Sequence, residues 1–143
     1  MRTILLLVAG GLGVGLGLAT AACTAEGPPD PRVAQAGAEQ LSRALAGYAQ
    51  SGPPQSCVQL RDLRGNRSAG DAIVFDGQTS GTLYVNRPPG GCPSLDFGRA
   101  LVTRTSVGAL CRGDIADVFD PVARITYGGC GLGEFVPYKR VGR

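Results

Sequence analysis

Apolar positions fall into three regimes along this chain of 143 residues. Residues 4–18 are apolar throughout, broken only by Gly10, Gly11, Gly13, Gly15 and Gly17. Val33, Gly37, Leu41, Ala44, Leu45 and Tyr48 then recur at helical steps, the spacing that turns one face of a helix toward a core. From Cys57 onward the pattern changes to brief apolar runs separated by turn residues. Six short strands are predicted there, over 58–63, 72–75, 81–86, 100–105, 114–119 and 133–137, each bounded by residues that punctuate strands.

The helix has a start signal with a mechanism. Asp30 offers a carboxylate to orphan amides, and Pro31 lacks the amide that the first helical position would leave unpaired anyway. Ser51, Gly52, Pro53 and Pro54 set its end, so the helix is predicted over 31–50. Its stripe is thin and rich in alanine, but Leu41, Leu45 and Tyr48 favour packing on the domain behind over a free spacer. Short connections favour neighbouring antiparallel strands. The expected fold is therefore mainly β: a small antiparallel six-strand meander or barrel-like domain with two disulfides, preceded by one N-terminal helix.

The first regime reads as an export signal. A lone cation at Arg2 precedes the apolar run, and Ala19, Thr20, Ala21 and Ala22 follow it, the small residues of a cleavage region. The many glycines and the absence of a basic flank argue against a membrane-spanning helix. Cys23 stands at the junction, where a cysteine is the site of lipid attachment. Thr20 holds a place where a lipoprotein signal usually carries an aliphatic residue. The competing outcome, an odd free thiol near the mature terminus, is disfavoured in an oxidising compartment. The chain thus divides into a signal over 1–22, a proline-containing tether over 23–30, the helix over 31–50 and a β domain over 51–143.

Four cysteines remain, Cys57, Cys92, Cys111 and Cys130. Their gaps are far longer than those of zinc sites, whose ligands come in close pairs, so they are expected as two disulfides. A domain of about 90 residues is marginal without such staples, and each bridge is worth about 4 kcal/mol in the chain-entropy picture. In a meander each strand end falls on one of two rims. Cys57 and Cys111 then share one rim, and Cys92 and Cys130 the other. Pairing across rims would span a strand of about 17 Å, whereas a disulfide tolerates at most about 7 Å between Cα atoms. The expected pairs are Cys57 with Cys111 and Cys92 with Cys130.

Charge and chemistry mostly exclude. The net charge of +3 falls to +2 when Arg2 leaves with the signal, too little for nucleic-acid binding. Arg61, Arg64 and Arg67 form the densest basic run, with Asp62 and Asp71 near them, and read as a mixed-charge solvated face. There is no histidine, which removes the usual nucleophile-activating base and the commonest zinc ligand. Carboxylate chemistry would have to use Asp114, Asp117 or Asp96. Asp114 and Asp117 fall on opposite faces of a strand, so they are expected as turn or edge carboxylates. Neither Asp96-Phe97-Gly98, outside any kinase context, nor the leader glycines form a phosphate site. No cofactor and no metal are expected. Asn66-Arg67-Ser68 is a glycosylation sequon that matters only in a eukaryotic secretory pathway.

Taken together, Cys57-Val58-Gln59-Leu60, Ala72-Ile73-Val74-Phe75, Tyr84-Val85-Asn86, Cys92-Pro93-Ser94-Leu95, Leu110-Cys111-Arg112-Gly113-Asp114 and Cys130-Gly131-Leu132-Gly133-Glu134-Phe135-Val136-Pro137-Tyr138 resemble the signature of an uncharacterised family of small exported bacterial proteins. Val58 replaces the usual isoleucine, and the stretch 122–129 is enlarged and rich in glycine. The resemblance implies export and a cysteine-stapled β domain, and assigns no active site. The expected protein is a non-enzymatic binding or structural module of the cell envelope, periplasmic or anchored to the outer membrane through lipid on Cys23, with an envelope protein or a small ligand as partner. The alternative is a secreted inhibitor of an envelope-degrading enzyme such as lysozyme, for which the 87–98 loop is long enough.

Overall fold

Asp30 and Pro31 open the helix in the computed structural model, which describes residues 30–92, 94–96 and 98–142. The Asp30 carboxylate accepts the Arg32 amide at 2.8 Å, and α1 runs over Pro31–Ala44. It stops six residues short of the predicted end. Gly47, at φ +79°, takes the left-handed conformation that reverses the chain. The amides of Leu45 and Ala46 close on the carbonyls of Leu41 and Arg43. Tyr48, read as the last member of the helical stripe, instead begins strand β1 (Tyr48–Gln50). The signal and the tether up to residue 29 lie outside the described residues.

Nine further strands follow: β2 (Cys57–Gln59), β3 (Leu63–Ala69), β4 (Ala72–Gly77), β5 (Thr82–Asn86), β6 (Ala100–Thr103), β7 (Ala109–Cys111), β8 (Ile115–Asp120), β9 (Ile125–Gly131) and β10 (Phe135–Arg140). The fold is mainly β and antiparallel with one helix, as expected. It is not one consecutive meander. The described strands form three open sheets, ordered β1-β10-β5-β4-β3, β2-β7 and β6-β8-β9. The last strand returns to lie between β1 and β5, so the two ends of the domain are joined by pairing Tyr48 with Arg140.

Pro137 occupies a strand flanked on both sides, a position proline usually avoids. Its carbonyl accepts the Ser51 amide, so its missing N–H faces the same side, where β1 has already ended at Gln50. The ladder to β5, in which Pro137 faces Tyr84, loses nothing.

The five-stranded sheet is covered on both faces. One side carries Val74, Leu83 and Val85 under Leu41 of the helix. The other carries Ile73, Phe75 and Phe135 under Val58, Leu110 and Val118 of the smaller sheets and Leu132 just beyond β9. Double coverage is why β4 reads as an unbroken apolar run. The Phe75 and Phe135 rings meet at 5.6 Å between centroids, an ordinary tilted aromatic contact.

Both expected disulfides are present. Cys57 and Cys111 stand directly opposite each other in the β2–β7 ladder with Cα atoms 4.0 Å apart. Cys92, beyond β5, reaches Cys130 on β9 at 5.3 Å. The pairing matches the expectation, but the first bridge arises from cross-strand registry rather than from a shared rim. Two structural disulfides place the folded domain in an oxidising, extracytoplasmic environment. Among the described residues no helix is long and apolar enough to cross a membrane.

Candidate functional site

A groove of about 520 Å³ lies between the N-terminal half of α1, the β3–β4 turn and the segment that follows β5. Each wall is placed by an identifiable contact. Helix α1 buries only Gly37 and Leu41, and Gly37 rests on the backbone of Gly70 in the β3–β4 turn. The Gly70 amide donates to Oε1 of Gln40 at 2.9 Å. Gly70 sits at φ +68°, and a Cβ there would collide with the backbone of Gly37, so the turn requires glycine twice over.

A Gly70→Ala variant is therefore expected to lose about 2 kcal/mol, in the range of overpacking at a tight contact. The damage should be local. Hydrogen exchange should accelerate across Pro31–Ala44 while β4 and β5 stay protected, and unchanged protection of the helix would count against this account.

The opposite wall is the chain leaving β5. Asn86 is fully buried; its amide donates to the Gly133 carbonyl at 2.8 Å and its carbonyl accepts the Gly133 amide at 2.9 Å. Beyond it, Pro88, Cys92 and Leu95 are buried, the Gly91 amide bonds the Pro88 carbonyl, and Arg99 donates to the Ser94 carbonyl at 2.9 Å. The 87–98 loop considered as an inhibitory arm is thus held to the domain at Pro88, Cys92 and Leu95, while Arg87, Pro89, Gly90, Asp96 and Gly98 are exposed.

Val33, Ala34, Gly37 and Leu41 give the groove an apolar helical wall, and Arg87, Asp71 and Asp96 stand along it as exposed charged residues. None of these three side chains makes a hydrogen bond or ion pair among the described residues. Sequence patterning did not find this site, because Val33, Asp71 and Arg87 are far apart in the chain and only tertiary packing brings them together.

The other candidates resolve into structural roles. Cys23 lies outside the described residues. Asp114 accepts the Cys111 amide at 2.8 Å and closes the turn that contains Gly113 at φ +92°, the work of a turn carboxylate. Asp117 lies within β8, between Val102 of β6 and Gly129 of β9, and Asp96 is on the groove. The three do not converge. No group of three potential metal ligands gathers among the described residues. Of the basic run, Arg67 pairs with Asp76 at 2.6 Å and Arg64 donates to the Gly77 carbonyl, giving the mixed face expected.

Other exposed apolar residues of the β6-β8-β9 sheet are Val102, Ile115, Ile125 and Tyr127, and the register puts Ile125, opposite Asp120, on the other face from Val102 and Ile115. Of the two open edges of that sheet, β6 and β9, β9 is bent by Gly128 at φ +88° and a register shift opposite Asp117–Phe119, a device that discourages strand addition. Compared with known protein families, with curated proteins and with solved structures, the chain matches none.

Proposed function

We propose that this is an exported bacterial envelope protein, held to a membrane by lipid on Cys23, whose disulfide-stapled domain binds a ligand in the groove and performs no chemistry. The observation that carries the reading is the place of the groove: it is walled by the helix that begins at Pro31, next to a tether that starts at Cys23. The seven Cα-to-Cα steps from Cys23 to Asp30 reach at most about 25 Å, so an anchored chain holds the groove close to the bilayer surface. The absence of histidine and the separation of Asp114, Asp117 and Asp96 support binding over catalysis.

Intact mass and detergent partitioning of the native protein test the anchor. The expected result is a chain that begins at Cys23, carries acyl mass and enters the detergent phase. A water-soluble mature form without acyl mass defeats it. In a screen of ester, amide, glycosidic and phosphate substrates no turnover is expected, and turnover lost on Asp114→Asn or Asp117→Asn would show that the domain is an enzyme.

A further inference from the structure

We infer that the groove holds the single chain of a zwitterionic phospholipid-type amphiphile, with its tail along α1 and its phosphate and ammonium groups beside Arg87, Asp71 and Asp96. The inference rests on the groove being the binding site and on the anchor that keeps it near a bilayer.

The tail follows from the helical wall. Of the helical residues that line the groove, Val33, Ala34, Ala36, Gly37, Ala38 and Leu41 are apolar, and the one polar side chain, Gln40, has its Oε1 taken by the Gly70 amide. Leu41 is 6% exposed and satisfied by the core, but Val33 is left 68% exposed at the same wall. Folding alone does not use Val33, whereas an apolar ligand would cover it. The volume of about 520 Å³ lies within the range of roughly 300–1,000 Å³ that accommodates ligands of this size.

The headgroup follows from the charges. A free fatty carboxylate would satisfy Arg87 and leave Asp71 and Asp96 facing an anion. A purely cationic amphiphile would satisfy the acids and face Arg87. A headgroup with both signs meets all three, and like charges brought together are disfavoured. The source is the membrane beneath the tether, which supplies such headgroups at the distance the tether spans.

The test uses the mature chain carrying Cys23→Ser, exported behind an ordinary secretory signal, so that the protein's own lipid is absent. The probe is a single-chain lysophosphatidylethanolamine below its micellar concentration, with palmitate and lysophosphatidylglycerol as comparators, followed by calorimetry and by NMR shifts of α1. Saturable micromolar binding is expected, with both comparators at least tenfold weaker. Ala34→Trp, at an exposed helix position, should weaken binding at least tenfold without moving the unfolding midpoint. Arg87→Ala should also weaken it, while Asp71→Asn with Asp96→Asn should bring lysophosphatidylglycerol up toward the zwitterion. Absence of saturable binding, palmitate binding as well as the zwitterion, or full binding by Ala34→Trp would each overturn the inference. Acyl mass on native Cys23 reads the anchor separately, so a lipidated protein whose groove ignores all three probes overturns this inference alone.

Discussion

Replacing Gly133 with alanine is expected to cost the domain about 4 kcal/mol of stability. A Cβ at this position would fall on the carbonyl oxygen of Arg87, a backbone atom that cannot rotate away. Relief requires the two chain segments to separate, and Asn86 bonds both the amide and the carbonyl of Gly133. Overpacking costs about 1–3 kcal/mol, and each of the two hydrogen bonds adds about 1 kcal/mol. The sum, about 4 kcal/mol, is large against a total of about 5–15 kcal/mol. Asn86→Leu keeps the volume but strands the buried Gly133 amide and carbonyl, and about 3 kcal/mol should go with it. Urea unfolding of both variants checks the clasp, and a free energy within 1 kcal/mol of the parent for Gly133→Ala would show that the segments part freely.

The same clasp shows what the sequence could and could not express. Asn86 and Gly133 were expected only as the last residue of one strand and the first of another, and nothing local couples residues 47 positions apart. Where structure is set locally, the sequence was legible. Asp30-Pro31 starts α1 at the predicted residue, and Ala72 to Phe75 announces β4 because both faces of that strand are buried. The helix end was missed because Leu45 and Tyr48 continue the helical spacing, although Gly47 breaks the backbone. Strand β3 falls almost wholly between the expected strands 58–63 and 72–75. It is an edge strand with most of its residues exposed, so it never needed the alternation by which strands are recognised. Strand β9, Ile-Thr-Tyr-Gly-Gly-Cys-Gly, is hidden by glycines for a similar reason. The groove was invisible in outline, since its helix, turn and loop carry no shared pattern.

The two disulfides should differ in worth, and in the opposite order to their loop lengths. Cys57–Cys111 closes a separation of 54 residues and Cys92–Cys130 one of 38. Because closure entropy grows only with the logarithm of length, both come to about 4 kcal/mol, and the longer loop leads by a few tenths at most. Burial decides between them. Cys57 is exposed at the end of a three-residue ladder, whereas Cys92 and Cys130 are 8% and 6% exposed among Leu95, Val118 and Phe135. Serine at both buried positions adds the cost of placing two hydroxyls in an apolar cluster, about 1–3 kcal/mol each by mutational measures. The Cys92→Ser, Cys130→Ser variant is thus expected to be the less stable by at least 2 kcal/mol, and to unfold or aggregate at 37 °C. It should also free the wall of the groove that Cys92 pins. Graded reduction with alkylation and peptide mapping gives the kinetic counterpart: Cys57 and Cys111 should be labelled first, while the buried pair resists until the domain opens. Equal labelling rates, or a Cys57→Ser, Cys111→Ser variant that is the weaker of the two, would show that loop length rather than burial governs the staples.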